Sequence, residues 1–299
     1  MEMTPRISLL LPTRGRPALV RRFFDSVIRN TRDLSRVEAV LYVDDDDVES
    51  HALLKPGING RTIVGPRASM GRYNTTCYEE SVGDVIVLVN DDMVIGTKGW
   101  DDKLIELDNS VADKIYLAYG NDLLKGGKLC TFPILSRRTC ELLGDPYPLE
   151  YEGAFIDYHL FDVFKRLEKA GYSRIFYLKD LIFEHLHYRT GKAAKDATYV
   201  RRGRFADDPI FVALKGRRER AAEHLRDCIV GKECGERLVG DRAVIDPLPG
   251  SLFRATSLFM RTFLLDGDLP WRWRVYLSVW FLGRYMAARG MLKPFVKVS

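Results

Sequence analysis

Two adjacent carboxylates interrupt the stretch "GDVIVLVNDDMVIGTKGW" (Gly83–Trp100), directly after the apolar residues Val85 to Val89. Val85 to Val89 stabilise a buried strand, but Asp91 and Asp92 would be costly inside it unless paired or bound to a cation. The residues alone allow a solvated Asn-Asp turn at a strand end, or hard oxygen ligands aimed at a divalent ion. A second acidic stretch, "VLYVDDDD", places Asp44 at the end of another apolar run. Val48 and Glu49 break the EF-hand pattern there, so the choice lies between a binding acid and a solvated loop. In "EHLHY", strand alternation puts His185 and His187 on one face. Neither a cysteine nor a third histidine stands near enough in sequence for a closed zinc site. The segment "RTGKAAKDATY" imitates the end of a P-loop, but Ala193 replaces the required Ser or Thr and Leu186 the first Gly. Lys192 is left as a point charge able to meet a diphosphate, or as part of a solvated basic loop. In "EGAFIDYHLFD", Asp157 opens a helical segment, where the dipole favours an anion and where an Asp also serves as an N-cap.

The elements that must position these groups follow from periodicity. "ISLLLP" (Ile7–Pro12) reads as a strand buried on both faces. "TRGRP" follows it, with Pro17 suited to the first turn of a helix. Leu19, Val20, Phe23, Phe24, Val27 and Ile28 form the apolar stripe of that helix. "EAVLYV" and "RTIV" are further strands, and "ASMGRYNTTCYEESVG" is a helix with Gly83 expected at its end. "IYLAYG" is another strand, "DYHLFDVFKRLEKAG" a helix, and "RIFYLKDLIFEHLHY" reads as strand, turn, strand. Strands alternating with helices over the first 120 residues indicate an α/β fold with a mainly parallel sheet. In such sheets ligands sit beyond the carboxyl ends of the strands. "TRGR", "DDDD" and "NDD" all fall on that edge.

Composition sets the outer limits. At 46% hydrophobic and 29% charged, the 299 residues suit a globular chain, not a disordered one. The net charge of +5 suits phosphates or an anionic surface and is too small to indicate nucleic acid. The five cysteines form no CxxC pair, which predicts reduced thiols in a cytosolic compartment. "ISLLLP" is too short for the apolar core of a signal peptide, and no run reaches the roughly 18 apolar residues of a membrane span.

The ordered motifs "LLLPTRGRP", "VLYVDDDD", "ASMGRYNTTCYEESVGDVIVLVNDDMVIGTKGW", "EGAFID" and "EHLHY" resemble a nucleotide-sugar glycosyltransferase of the GT-A fold, nearest glycosyltransferase family 2. The resemblance covers roughly residues 6–200. It implies a Rossmann-like, mainly parallel sheet flanked by helices, with Mn²⁺ or Mg²⁺ and a nucleotide-sugar donor, a UDP-sugar in the commonest case. Asn90-Asp91-Asp92 occupies the place of the family's Asp-x-Asp motif, with Asn90 at its first acidic position. By that likeness Asp92 is a metal ligand and Asp91 a supporting or sugar-contacting group. One of His185 and His187 is the second metal ligand. Pro12, Thr13, Arg14 and Arg16 form the nucleotide-binding first loop, Asp44 reads the base or ribose, and Arg67 and Asn74 reach over the nucleotide, with Lys192 on the diphosphate. The resemblance makes Asp157 the general base of an inverting transfer, with Glu152 as runner-up and Asp162 less suited because it lies inside the helix.

These readings divide the chain into a catalytic domain, 1–246, and a C-terminal helical extension, 247–299. Within the first, the nucleotide-sugar half spans about 1–120 and the acceptor half about 121–246. The extension is aromatic, apolar and arginine-rich, which suits a membrane interface; packing on the catalytic domain or a homodimer contact would use the same residues. The acceptor is then a glycan or a lipid-linked group, with the protein in the cytoplasm or peripheral on the inner face of the cytoplasmic membrane. A nucleotidyltransferase shares this sheet and cation, but it needs a glycine- and lysine-rich loop where "TRGRP" stands. A non-catalytic nucleotide-sugar binding protein is the third reading, and loss of the metal acids would favour it.

Overall fold

The computed structural model describes residues 6–144, 146–186, 203–232 and 243–292. Eight strands form one sheet: β1 (Ile7–Thr13), β2 (Val37–Asp44), β3 (Asn59–Gly65), β4 (Val85–Leu88), β5 (Met93–Ile95), β6 (Leu117–Asn121), β7 (Ile134–Ser136) and β8 (Ile175–His185). Their order is β3-β2-β1-β4-β7-β6-β8-β5. The first four are mutually parallel. β7 runs antiparallel between β4 and β6, β8 is parallel to β6, and β5 caps β8 antiparallel.

Every residue of β1 and β2 is buried, as continuous apolar runs require when both faces are covered. Side-chain alternation divides them between two layers. Ile7, Leu9 and Leu11 meet Val20, Phe23, Phe24 and Val27 of helix α1 (Pro17–Asn30) and Trp100 and Leu104 of α3 (Trp100–Ser110). Leu10, Val40 and Ile86 face the opposite layer. That layer holds α2 (Met70–Glu79), α4 (Arg137–Leu143), α5 (Ile156–Lys169) and α7 (Lys215–Ile229); a short α6 (Asp208–Ala213) precedes α7. Leu19 is half-buried and Ile28 exposed, so the buried stripe of α1 is narrower than its apolar residues suggest.

The extension consists of α8 (Leu252–Phe259), a π-helical turn (Met260–Leu264) and α9 (Trp271–Ala288). Trp273, Leu277, Phe281 and Tyr285, spaced four apart on one face of α9, are buried in the same cluster as α5 and α7. Trp280 stacks on Tyr158 with ring centroids 4.5 Å apart. Beneath them lies an ion network. Asp162, fully buried, accepts from Arg218 Nε at 2.8 Å, Arg166 Nε at 3.2 Å and Trp273 Nε1 at 2.9 Å. Arg166 reaches on to Asp266 at 2.7 Å. Asp162 therefore ties three helices together and is spoken for structurally.

Several local expectations change. Helix α2 ends at Glu79, and Gly83 lies beyond it, where its N–H donates to Ser8 Oγ at 2.8 Å. A Cβ on Gly83 would come within 2.6 Å of that hydroxyl, so close approach of β1 explains the glycine, not a helix cap. The expected turn between two strands is a bulge inside β8: Gly120 pairs with Leu178, but Asn121 with Ile182. Cys77, Cys130 and Cys140 are buried free thiols, whereas Cys228 is disulfide-bonded, against the expectation of reduced thiols throughout.

Candidate active site

Because β1, β2 and β4 are parallel neighbours, the loops leaving them meet at one edge. Arg14, after β1, forms a two-pronged pair with Asp46 at 2.6 and 2.7 Å and also bonds Asp44. These carboxylates raise the guanidinium's already high pKa further, Asp46 most. Asp47 accepts from the Gly15 N–H at 2.6 Å, where the backbone is left-handed (φ 63°) and glycine fits. The other oxygen of Asp44 accepts from Tyr73 Oη at 2.6 Å. Asp44 is buried, so its carboxylate is fixed between a cation and a phenol at the mouth of the strand.

Asp91 and Asp92 separate in role. Asp91 is buried and accepts from Thr13 Oγ1 and Arg16 Nη1, both at 2.9 Å. Desolvation raises its pKa; Arg16 opposes this and Asp92 adds to it. Asp91 thus braces the first loop. The Met93–His185 pairing of β5 and β8, with the Leu186 N–H donating to Asp92 O at 2.9 Å, sets Asp92 beside His185. His185 Nε2 lies 3.3 Å from Asp92 Oδ2. Adjacent ligands on an octahedral ion at about 2.1 Å stand about 3 Å apart, so one carboxylate and one imidazole fit a shared Mg²⁺ or Mn²⁺. Two protein ligands leave most positions for phosphate oxygens and water, which is how such ions are usually held at a nucleotide. Among the described residues the one group of three acids close enough for a metal is Glu219, Asp266 and Asp268. Arg166 and Lys215 already occupy Asp266, so positive charge fills that place.

Asp157 lies in the first turn of α5. Phe155 is the helix N-cap, in a left-handed conformation (φ 69°), so Asp157 is not the cap but stands two residues inside. Its carboxylate accepts from the Tyr158 N–H at 2.8 Å. Desolvation raises its pKa to about 6, partly offset by that N–H and by the charges of His185 and Lys125. The segment between β6 and β7, which includes a 3-10 turn at Gly126–Lys128, runs from it towards the Asp92–His185 pair. Cys130 Sγ donates to Asp157 O at 3.1 Å, and two residues on, the Phe132 ring meets His185 edge-on at 5.3 Å. Asp157 and the Asp92–His185 pair are therefore near enough for the His185 charge to act on the Asp157 carboxyl.

Other expected residues fall differently. Pro12 is buried in β1 and offers no donor. Asn74 is buried and turned onto its own helix, donating to Met70 O at 2.9 Å, so it does not reach over the cleft as expected. An asparagine inside a helix readily satisfies itself on the carbonyl four residues back. Arg67 is exposed near Asp46. The Glu152 side chain is exposed, while its backbone is tied at both ends. His187 and Lys192 lie outside the described residues.

Two contributors had no signal in the sequence. Tyr73 reads as an apolar wall residue, yet its hydroxyl orients Asp44. Asp207 is buried and takes three consecutive backbone N–H groups, from Glu152, Gly153 and Ala154. Neither could be found without the long-range pairing, 29 and about 55 residues away.

No family model matches the chain, and no curated relative matches its sequence. Solved structures do. A mannosyltransferase from Pyrobaculum calidifontis, in complex with GDP-Man and Mn²⁺, superposes with a TM-score of 0.52 at 13% identity, covering 99% of this chain and 77% of that one. S. aureus TarS 1-349 gives 0.46 at 11% identity, with 98% and 93% covered. Glucosyl-3-phosphoglycerate synthase from Mycobacterium tuberculosis gives 0.46 at 16%, with 72% and 78% covered. At such identities the likeness is one of fold, and the mannosyltransferase alone of these three exceeds a TM-score of 0.5. The architecture is the α/β GT-A type with helices at its C-terminal end.

Proposed function

We propose that the chain is a glycosyltransferase that moves a sugar from a nucleoside-diphosphate donor, with inversion, to an acceptor hydroxyl. One observation carries this reading. Asp92 and His185, 93 positions apart in sequence, are brought to 3.3 Å at the carboxyl edge of the sheet, where the His185 charge also acts on Asp157. A divalent cation held there would supply Lewis-acid stabilisation to the leaving diphosphate. Thr13, Arg14 and Arg16 present the first loop to the phosphates, braced by Asp91 and Asp46. Asp44, oriented by Tyr73, is placed to accept from ribose or base. Asp157 takes the proton from the acceptor oxygen as the bond to the sugar carbon forms. Its raised pKa leaves it mostly ionised at neutral pH while keeping it basic enough for that transfer.

UDP is the donor nucleotide expected from the sequence likeness, and the Pyrobaculum calidifontis mannosyltransferase was solved with GDP-Man. Calorimetric titration with UDP and GDP, each with and without Mn²⁺, separates the two. Asp92→Ala and His185→Ala are expected to abolish the Mn²⁺-dependent part of nucleotide binding while leaving the thermal transition in place. Unchanged Mn²⁺-dependent binding in both variants rejects the cation assignment.

A membrane-facing role for the extension rests on what remains exposed after α9 packs. Phe253 is 84% exposed, Leu265 67%, Trp271 64% and Val279 66%, with Arg254, Arg261 and Arg272 exposed among them. Aromatic and apolar groups beside arginines suit an anionic lipid interface, which would bring the cleft to a lipid-linked acceptor. No helix among the described residues is long and apolar enough to cross a membrane.

A further inference from the structure

Beyond the groups that touch substrate, we infer that Asp207 is a positioning residue that sets the place of Asp157, an inference resting on Asp157 as the base. The loop from Pro148 to Phe155 delivers Asp157, and its backbone amides converge on one buried carboxylate. Glu152 N–H and Gly153 N–H reach Asp207 at 3.0 Å, and Ala154 N–H at 2.6 Å. Three consecutive amides around one anion form a nest, a geometry that fixes backbone direction more tightly than a single bond. Phe155 follows at once in the left-handed region, where a bulky side chain sits only when its surroundings hold it. Two residues later comes Asp157.

A second contact secures the same turn. Asp208 pairs with Arg284 of α9 at 2.6 Å, and Arg284 also donates to Arg204 O at 2.6 Å. The guanidinium lies 5.2 Å from the centroid of the Phe155 ring. The 203–208 segment is thus clamped between the turn before α5 and the last helix. On its other side the loop accepts from the N-terminus of α2: Met70 N–H donates to Glu152 O and Gly71 N–H to Tyr151 O. A Cβ on Gly71 would meet Pro148 O at 2.1 Å, so glycine permits this contact. Helix α2 carries Tyr73, the group that orients Asp44. One loop therefore spaces the acid that deprotonates the acceptor from the acid placed at the donor nucleotide.

If Asp207 acts through Asp157, weakening the nest displaces the base and spares donor binding. The test uses the full chain and Mn²⁺-dependent hydrolysis of UDP-glucose or GDP-mannose, where water takes the acceptor's place and needs the same base. Asp207→Asn is expected to lower kcat by roughly 10- to 100-fold, the scale of a misplaced proton acceptor. Donor KM and calorimetric nucleotide affinity should stay within about 2-fold. Asp207→Glu keeps the charge but is one methylene longer, and should show the same loss confined to kcat. The double variant Asp157→Asn/Asp207→Asn should be no slower than Asp157→Asn alone, since one group acts through the other. Losses that multiply, a normal kcat in Asp207→Asn, or failure of both Asp207 variants to fold would overturn the inference. Normal turnover in Asp157→Asn would instead remove the base assignment on which it rests, so the two failures are distinguishable.

Discussion

Replacing Asp157 by Asn should make the protein more stable and nearly inactive at once. The pKa of its carboxyl rises from 3.8 to about 6 on folding, because burial disfavours the charged form more than the Tyr158 N–H favours it. With the folded value above the unfolded one, the stabilising contribution is complete below about pH 4. It is lost as pH rises through about 6. At neutral pH the ionised carboxylate is therefore a cost, at most ~3 kcal/mol at 1.36 kcal/mol per unit. Asn keeps the shape and can still accept from Tyr158, but carries no charge to desolvate. Cation-free Asp157→Asn should melt several degrees above the parent near pH 8, and the gap should close near pH 4. Turnover should fall at least ~10²-fold, and the parent's kcat should decline on the acid side as pH drops below about 6. Calorimetric melting across pH, paired with donor hydrolysis rates, checks both halves. An unaltered melting temperature together with an unaltered kcat would refute the reasoning, and Glu152 would become the candidate.

Other expectations concern the surroundings of the cleft. Tyr73→Phe removes a hydrogen bond to a buried carboxylate, an interaction worth ~1.5–3 kcal/mol; donor KM should rise roughly 10-fold or more with kcat little changed, and steady-state kinetics at varied donor decide it. Asp162→Ala leaves Arg166, Arg218 and Trp273 without their shared acceptor, and should cost ~3–5 kcal/mol in urea unfolding; an unmoved midpoint would show that the network does not hold the extension. Full-length protein should co-sediment with anionic vesicles at low salt and be released as salt shortens the Debye length below ~10 Å. No binding at low salt would leave the exposed aromatics without a membrane role.

What the sequence made legible was local. "VIVLV" read as a buried strand, Pro17 suited a helix start, and carboxylates after parallel strands fell at one edge of the sheet. The resemblance rested on those same local features. Strands of three residues, such as β5 and β7, escape any periodicity, yet β5 is what brings His185 to Asp92. The resemblance placed Asn74 over the nucleotide, but a polar residue in a helix is as easily satisfied by the helix itself. Asp207 and Tyr73 acquire meaning only from partners that the fold supplies.

The buried network under α5 also sets an order of events during synthesis. Asp162 waits for Arg218, 56 residues later, and for Trp273, 111 residues later. At ~5–20 residues per second, the second partner, 55 residues on, emerges roughly 3 to 11 seconds after the first. Until α8 and the π-helical turn are made, the apolar sides of α5 and α7 lack Phe259 and Phe263, and until α9 is complete they lack Phe281 and Tyr285. Until α9 is added, the nascent sheet domain carries an uncovered apolar face on α5 and α7, the kind of transient surface that promotes aggregation. A ribosome stalled before α9 would hold the sheet and α5 with Asp162 not yet met by Trp273.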